Sequence, residues 1–425
     1  MSVRNIRWPG EQEAVLTHIR EIYGQSDYDT WSITYGHAPT FDPADCFVLD
    51  GERPGEIAGH GMIIPRQIQI GESVLPTAEI SLLGMLDSYQ GLGGEQLLLE
   101  AIHQRMTERG DVFGLSFGSP LVFEPWQYEY AAGLYLTSYE SDIATDLALK
   151  AGSWDPAHSY ERRTADQLGA RGREVAVRRF YLPDLPTVKM LYAAESARGH
   201  YLMARDDEAW NWQIENQERL DQPDDFIVAE EDDRLVAYAR LVTQRQINTF
   251  RDTQAARFSV IEAAGDHPDG IESLLGEIAR MADALTVDRI GLFVHPQSAF
   301  MRHALVRGAN QRHFTGAGFL RLHNLPAALQ RLAPTLEARH SVSECDSRAY
   351  HLIIRTENQQ AEVTLGTGGS PEIVELEAPA TVVVRLLTGW FGIDRVVEGY
   401  QERHALLLRS LFPQRDPKIG LADLV

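Results

Sequence analysis

One supersecondary pattern occurs twice in this 425-residue chain and constrains its fold more than any other feature. In each copy, short apolar segments separated by turn residues are followed by a strand, a turn, an amphipathic helix and a second strand. The first copy ends with ISLLGML, EQLLLEAIHQRMTERG and FGLSFG, and the second with ARFSVIEAAG, HPDGIESLLGEIARMADAL and RIGLFVHP. The repeated order predicts an internal duplication of a mixed α/β unit, although sequence identity between the copies is slight.

The segments between and after the two copies predict three domains, in keeping with about 150 residues per domain. The stretch from Gly152 to Arg173 is polar and irregular, which is typical of a linker. From about Thr335 the pattern changes to short strands followed by helical segments, as in a small α+β domain. We therefore expect domains at 1–151, 152–334 and 335–425.

Charge and cysteine content exclude several classes of protein. Thirty-nine Lys and Arg residues stand against 61 Asp and Glu, a net charge of −22, which disfavours nucleic acid or an anionic membrane as partner. Cys46 and Cys345 form neither a disulfide framework nor a metal cluster, and the 14 histidines include no H-E-x-x-H spacing, so we expect no metal. With no apolar run of about 18–20 residues and no signal-peptide pattern, we expect a soluble, cytoplasmic protein.

A glycine-rich turn, Gln90–Gly94, joins a strand to a helix in the first copy. Glycines let backbone N–H groups approach an anion, and the helix N-terminus adds its positive end, a combination that suits a pyrophosphate. The alternative is an ordinary turn that closes the strand onto the helix. A dinucleotide fingerprint fits less well, because Gln96 replaces its third glycine and the turn follows antiparallel hairpins. The second copy has Asp266 and Asp269 at this place, so we interpret it as structural.

The meander, the strand ISLLGML and the glycine turn resemble the acetyl-CoA site of GNAT N-acetyltransferases. The segments VLPTAEIS, FEPWQYEYAA, HPQSAFMRHAL and GFLRLHNLPAAL are similar to parts of the enhanced-intracellular-survival (Eis)-like family. The resemblance covers essentially the whole chain. It implies an α+β, mixed α/β fold, with two tandem GNAT-fold domains, the second degenerate, followed by a sterol-carrier-protein-like α+β domain.

The resemblance also implies a site for acetyl-CoA as co-substrate. Backbone groups of Leu83 and Met85 would contact the pantetheine arm and the acetyl carbonyl. The pyrophosphate loop would comprise Gln90, Gly91, Gly93 and Gly94. Two departures weaken the expected affinity: the loop lacks the arginines common in the family, and Glu95 places a carboxylate in the first helical turn.

Two catalytic groups follow from the same resemblance. The family motif places its proton-donating tyrosine at Tyr128, within Phe123–Tyr128, with Tyr130 as the alternative. The family's general base is the carboxylate of the last residue, here Val425. Independently of the family, Trp31 could line a substrate cleft, because an aromatic face binds an ammonium ion, although core packing is the more common fate of a tryptophan.

These observations predict a cytoplasmic, acetyl-CoA-dependent N-acetyltransferase that acts on a cationic small-molecule or peptide amine. The family implies a homo-oligomer, commonly a hexamer. One alternative is a lipid- or small-molecule-binding protein, which the alternating charges Glu375, Glu377 and Arg385 disfavour. Another is a catalytically weak or inactive scaffold, which Glu95 and the missing arginines favour. An aminoglycoside, a polyamine, a lysine side chain and a peptide all remain open as the amine.

Overall fold

The computed structural model describes residues 2–140, 175–216, 225–243, 258–285, 287, 289–309, 311–345, 348–415 and 417–419. The chain forms two compact units. The first comprises Met1–Ala132, Ala204–Asn216 and Ala317–Asp416, and the second Gly133–Met203, Gln217–Gly316 and Pro417–Val425. The expected linker and the expected boundary at residue 151 lie outside the described residues, and the boundary at residue 334 falls within a helix. The three-domain division stays a prediction.

The first unit contains a mixed sheet flanked by helices. Its elements up to residue 123 are β1 (Val3–Asn5), α1 (Gln12–Tyr23), α2 (Gln25–Thr34), β2 (Cys46–Asp50), β3 (Ile57–Ile70), β4 (Ser73–Met85), α3 (Gly94–Arg109), β5 (Phe113–Ser116) and α4 (Pro120–Phe123). Short 3-10 helices lie at Pro43–Asp45, Asp87–Tyr89 and Glu124–Trp126. The strand order is β1-β2-β3-β4-β5, and only the β4–β5 pair in this series is parallel.

Strand β2 shows why the core has two faces. Its side chains alternate between the faces of the sheet, as the period of two requires. Cys46 and Val48 pack in a cluster with α1, whereas Phe47 and Leu49 pack in a cluster with α3. The apolar run of β2 is therefore covered by α1 on one face of the sheet and by α3 on the other.

The first unit also holds the C-terminal elements. These are α9 (Leu325–Ser341), β14 (Tyr350–Arg355), β15 (Gln360–Leu365), β16 (Glu372–Glu377), α10 (Ala380–Thr388) and α11 (Glu402–Leu411), with a 3-10 helix at Ile393–Arg395. The strands form a sheet of order β15-β14-β16. Helix α9 packs on β15, β4 and α11. Its buried Thr335 hydroxyl bonds to the Ile70 carbonyl at 3.0 Å and to the Ser73 hydroxyl at 2.7 Å, which ties α9 to the β3–β4 turn.

The second unit repeats the strand pattern of the first. Its elements include β7 (Val175–Arg179), α5 (Leu185–Ala197), β9 (Asp225–Glu231), β10 (Arg234–Thr243), β11 (Phe258–Gly265), α7 (Pro268–Ala284), β12 (Arg289–Leu292) and α8 (Ala299–Val306), with a 3-10 helix at Leu182–Asp184. The strand order is β7-β9-β10-β11-β12, and again only the last pair is parallel. The expected duplication of a mixed α/β unit is confirmed.

Three strands carry residues of both units: β6 (Glu129–Glu140), β8 (Met203–Ala204) and β13 (Gln311–Leu322). Residues 137–140 of β6 pair with β12 in the second unit, and residues 319–322 of β13 pair with β5 in the first, both antiparallel. The strand that pairs with β5 of the first repeat, β13, therefore comes after the second repeat in the sequence. The strand that pairs with β12 of the second repeat, β6, comes after the first repeat. Helix α6 (Asp207–Asn216) belongs to the first unit. Over the described ranges, no helix combines the length and the apolarity needed to cross a bilayer.

Candidate active site

The first unit contains a gap between two parallel strands. The pairing of β4 with β5 runs from Thr77 opposite Phe113 to Ile80 opposite Ser116, where β5 ends while β4 continues to Met85. Just beyond Ile80, β4 contains a bulge, because Leu82 and Leu83 together oppose one residue of β3. Leu82 has a φ of 51°, the left-handed conformation that is uncommon outside glycine. The gap therefore opens at the carboxyl end of the parallel pair, the usual place for a ligand in α/β sheets.

A buried histidine holds the bulge in place. His60 Nδ1 lies 3.3 Å from the Leu82 carbonyl oxygen, and its Nε2 lies 3.0 Å from the Tyr35 hydroxyl. Burial lowers the pKa of His60 to about 3, so the ring is neutral; Nδ1–H donates to the carbonyl and Nε2 accepts from Tyr35. Because the C=O and N–H of a trans peptide point in opposite directions, the Leu83 N–H points away from His60.

The glycine turn leads from this gap into α3. Gly91 and Gly93 have φ angles of 74° and 83°, and a Cβ added at either would meet nothing, so these positions need glycine for their backbone angles. At Gly94 the reason is space, because an added Cβ would lie 2.5 Å from Met85 Cε. The Gln90 side chain bonds to Asp87 at 3.0 Å.

The start of α3 is open to a ligand. Gly93 is its N-cap and supplies no side-chain hydrogen bond to the first turn. The first N–H groups of a helix have no acceptor within the helix, and Gly91, Leu92 and Gly93 before them are exposed. Glu95 is also exposed and lies in this turn. The turn thus offers backbone donors and the positive end of the helix dipole beside one carboxylate.

Tyr23, at the end of α1, lies over the strand beyond the bulge. Its hydroxyl is 2.6 Å from the position that a Cβ on Gly84 would take, so the ring lies directly on the backbone of β4. Partial burial, with the negative charges of Asp27 and Glu95, raises the pKa of Tyr23. Asp27 of α2 and Glu95 of α3 thus both act on the hydroxyl that lies over Gly84.

Tyr128 lies in a buried polar cluster on the α3 side of the sheet. It is 1 % exposed, and its hydroxyl is 3.2 Å from His103 Nε2. His103 Nδ1 is in turn 2.8 Å from Arg321 Nη1. Burial raises the pKa of Tyr128, whereas burial and the Arg321 charge lower the pKa of His103 to about 2 and of His323 to about 3.

Solved structures share this fold over almost the whole chain. A GCN5-related N-acetyltransferase from Anabaena variabilis superposes with a TM-score of 0.65 at 15 % identity, covering 98 % of this chain and 99 % of that one. A protein from Enterococcus faecalis described as a probable N-acyltransferase gives 0.66 at 12 % identity, with coverages of 98 % and 97 %. Eis1 from Mycobacterium abscessus gives 0.57 at 14 % identity and covers 99 % of each chain. The fold is that of GCN5-related N-acetyltransferases. The sequence matches no protein-family model and no curated protein.

The GNAT-type fold expected from the resemblance is thus confirmed, and the same strand pattern occurs in both units. Eis-like specificity and a sterol-carrier-like C-terminal domain stay predictions. The C-terminal segment consists of a three-stranded sheet, β15-β14-β16, and the helices α9, α10 and α11.

The structure brings together several of the residues that the sequence singled out. Met85 and Tyr128 belong to the core cluster on the α3 side, and Leu83 and Tyr130 pack against it. Tyr130 is half-buried and its ring centroid lies 4.0 Å from that of Phe319. Gly94 meets Met85 directly, as described above. These residues therefore share one packing cluster on the α3 side of the sheet, and their roles stay predictions.

Two predicted residues are not part of this group. Trp31, in α2, is half-buried and packs against the cluster on the α1 side, together with Leu82. Val425 lies outside the described residues. The preceding part of the tail is hydrogen-bonded within the second unit. Gly133 N–H donates to the Pro417 carbonyl at 3.0 Å, and Leu202 N–H donates to the Lys418 carbonyl at 2.8 Å.

The second unit has the same gap with a different helix start. The pairing of β11 with β12 ends at Val260 opposite Leu292, and Ile261 follows as a bulge. His267 caps α7, because its Nδ1 accepts from Gly270 N–H at 3.2 Å. Asp266 is bonded to Arg198 at 2.9 Å. The donors that remain open at α3 are thus partly satisfied at α7, in keeping with the structural interpretation of this copy. Across the described ranges, no three His, Cys, Asp or Glu side chains converge as metal ligands.

Sequence reasoning missed the histidines that support the site. His60 and His103 each occur singly in apolar segments, where a histidine is usually a core residue with satisfied bonds. Arg321 is 218 residues from His103 in the chain. No short motif could have signalled these contacts, because they depend on strand register and on the pairing of β13 with β5.

Proposed function

We propose that the protein transfers an acyl group from an acyl-CoA thioester to an amine, and that the first unit holds the acyl-CoA. The observation that carries the proposal is the gap between β4 and β5, with the Leu82 bulge on one side and the uncapped start of α3 beside it. Two structurally similar proteins are described as a GCN5-related N-acetyltransferase and a probable N-acyltransferase, and this supports the proposal.

The residues of the first unit fit an acyl-CoA. Backbone groups of Leu83 and Met85 would contact the pantetheine arm and the acyl carbonyl, and the Leu83 N–H is directed away from His60. Exposed backbone of Gln90, Gly91 and Gly93, with the N–H of Gly94, would hold the pyrophosphate, since N–H groups at a helix start bind phosphate without a cationic side chain. The small acetyl group of acetyl-CoA is the acyl group that we propose, by resemblance.

The proposed chemistry needs an acid and a base. The amine attacks the thioester carbonyl, the C–S bond breaks, and the departing thiolate takes a proton. Tyr128 is our candidate for that acid, with Tyr130 as the alternative; the raised pKa of Tyr128 keeps its hydroxyl protonated until the thiolate forms. The amine's proton would go to the terminal carboxylate of Val425.

Within the second unit, the C-terminal tail is held as far as residue 419. Ile419 is fully buried, and its N–H donates to the Gly133 carbonyl at 3.2 Å.

A cationic amine is the substrate class that we propose. Asp27 and Glu95 act on the Tyr23 hydroxyl over β4, and Trp31 lies in the α1-side cluster that Leu82 also contacts. Negative charge and an aromatic face are features that bind an ammonium group. The resemblance further suggests a cytoplasmic homo-oligomer, since members of the family are commonly hexamers.

An acetyl-CoA consumption assay against a panel of amines tests the proposed function. We expect free CoA to be released in proportion to acetylated product, with the product mass increased by one acetyl group. The panel contains an aminoglycoside, a polyamine, a lysine peptide and neutral amines. Turnover of the cationic members alone supports the proposal. Binding of acetyl-CoA without turnover of any amine would favour the scaffold alternative.

Glu95→Gln should strengthen the binding of acetyl-CoA. The substitution removes a negative charge from the helix turn that we assign to the pyrophosphate, and relief of that repulsion is worth about 2- to 10-fold in Kd at low salt. Isothermal titration measures Kd at two salt concentrations, because screening should reduce the gain.

Glu108→Gln is the matched control. Glu108 is an exposed glutamate near the other end of α3, where Gln104 bonds to it as Gln96 bonds to Glu100. It lies 13 residues from Glu95, roughly 20 Å along the helix, so its removal should leave Kd unchanged. Equal effects of the two substitutions would contradict the assignment of the pyrophosphate to the start of α3.

Adding a few residues after Val425 should reduce turnover as much as deleting the last few. Both changes displace the terminal carboxylate, whereas a tail without a role would tolerate them. Turnover and melting temperature are compared for the native chain and a C-terminally extended chain. Lost turnover at an unchanged melting temperature is the expected result, and equal turnover would refute the assignment of the base.

A further inference from the structure

The cluster around Tyr128 contains four polar side chains from separate parts of the first unit. His103 comes from α3, Tyr128 precedes β6, Arg321 lies on β13, and His323 follows it. Tyr128 and His103 are 1 % and 8 % exposed, and Arg321 and His323 are half-buried. Their contacts determine where each proton lies.

Arg321 fixes the tautomer of His103. A guanidinium has only donors, so His103 Nδ1, 2.8 Å from Arg321 Nη1, must be the acceptor. The ring is neutral, as its lowered pKa shows, and its one proton therefore lies on Nε2. That nitrogen is 3.2 Å from the Tyr128 oxygen and donates to it. The proton of Tyr128 itself must then point away from His103.

We propose that Arg321, acting through His103, is a positioning residue that directs the Tyr128 proton toward the leaving thiolate and stabilises the tyrosinate that remains. The inference rests on the proposed function. In the step, the Tyr128 O–H bond breaks and the S–H bond of free CoA forms. Water returns a proton to the tyrosinate, and the terminal carboxylate releases to water the one it took from the amine, so the protons balance.

The charge of Arg321 supports a role beyond structure. In the described part of the chain, no carboxylate lies within ion-pair distance of its guanidinium. A charge removed from water is costly unless it is paired, and structural arginines in such places usually have a carboxylate partner. Burial lowers the pKa of Arg321, and a negative charge on Tyr128 raises it. A tyrosinate at Tyr128 would place a negative charge beyond His103 that partly balances the charge of Arg321.

Gly114 leaves room for this arrangement. It lies on β5 directly opposite Arg321 of β13. An added Cβ would lie 2.4 Å from the Tyr128 hydroxyl and 3.0 Å from His323 Nε2, which is buried without a hydrogen-bond partner among the described residues. Gly114→Ala should therefore displace the hydroxyl from His103 while leaving Arg321 present.

The tautomer is tested on the unmodified protein, whatever its activity. Nitrogen NMR of ¹⁵N-histidine-labelled full chain, with His103 assigned from a His103→Gln spectrum, reports which ring nitrogen carries the proton. We expect a proton on Nε2 and none on Nδ1 at neutral pH. The opposite tautomer would overturn the proposal even if the protein is an active acyltransferase.

The functional role is tested with Arg321→Met and two acyl donors. With acetyl-CoA, we expect kcat to fall about 10- to 100-fold, less than the ~10²–10⁴ that general acid catalysis contributes, at an unchanged KM for acetyl-CoA. With an acetyl thioester of an acidic aryl thiol, whose thiolate leaves without a proton, the variant should lose little activity. Arg321→Lys retains a donor and a charge and should restore most of the turnover.

Arg66→Met is the matched control, because Arg66 is a half-buried arginine of the same unit that is paired with Glu79 at 2.7 Å. This substitution should leave the ratio of the kcat values with the two acyl donors unchanged. The positioning role would be contradicted if Arg321→Met lost equal activity with both acyl donors, or if its kcat with acetyl-CoA equalled that of the unmodified protein. If the unmodified protein turns over neither donor, the proposed function fails, while the NMR result still decides the tautomer.

Discussion

The end of the β4–β5 pairing at Ile80 and Ser116 is the constraint on which the site depends. Two parallel strands that separate leave backbone groups facing the gap, and the bulge at Leu82 prevents β4 from simply continuing its ladder with β3. His60 compensates for the altered ladder by donating its Nδ1–H to the Leu82 carbonyl; because a carbonyl oxygen only accepts, this contact fixes the tautomer of His60, and Nε2 accepts from Tyr35. The direction of the Leu83 N–H follows from these contacts rather than from any side chain at the bulge itself.

The two units differ in how the helix beside the gap begins. Both have a parallel pair, a bulge after it and a helix that begins near the gap. In the first unit, Gly93 leaves the start of α3 uncapped. In the second, the His267 side chain bonds to the first turn of α7, and Asp266 adds a carboxylate that Arg198 neutralises. A few residues at the helix start thus leave backbone N–H groups without a side-chain acceptor in the first unit and partly satisfy them in the second.

The sequence predicted local features well and long-range contacts poorly. The repeated strand–helix–strand order, the glycine turn and the mixed α/β class were predictable, because hydrophobic period and turn residues are local signals. The contact of Arg321 with His103 was not, because it requires β13 to pair with β5 across about 200 residues. The same holds for Thr335, whose hydroxyl joins α9 to the β3–β4 turn. Such contacts depend on register, which no local pattern encodes.

Amide hydrogen exchange of the full chain, with and without acetyl-CoA, tests most directly whether the first unit is the acyl-CoA site. Backbone N–H groups that bind a ligand exchange more slowly, so the measurement reports on the groups that the fold leaves open. The predicted result is slower exchange in residues 80–86 and 90–97, with no change in residues 261–271 of the second unit. Unchanged exchange in residues 90–97, or equal protection of both segments, would contradict the assignment.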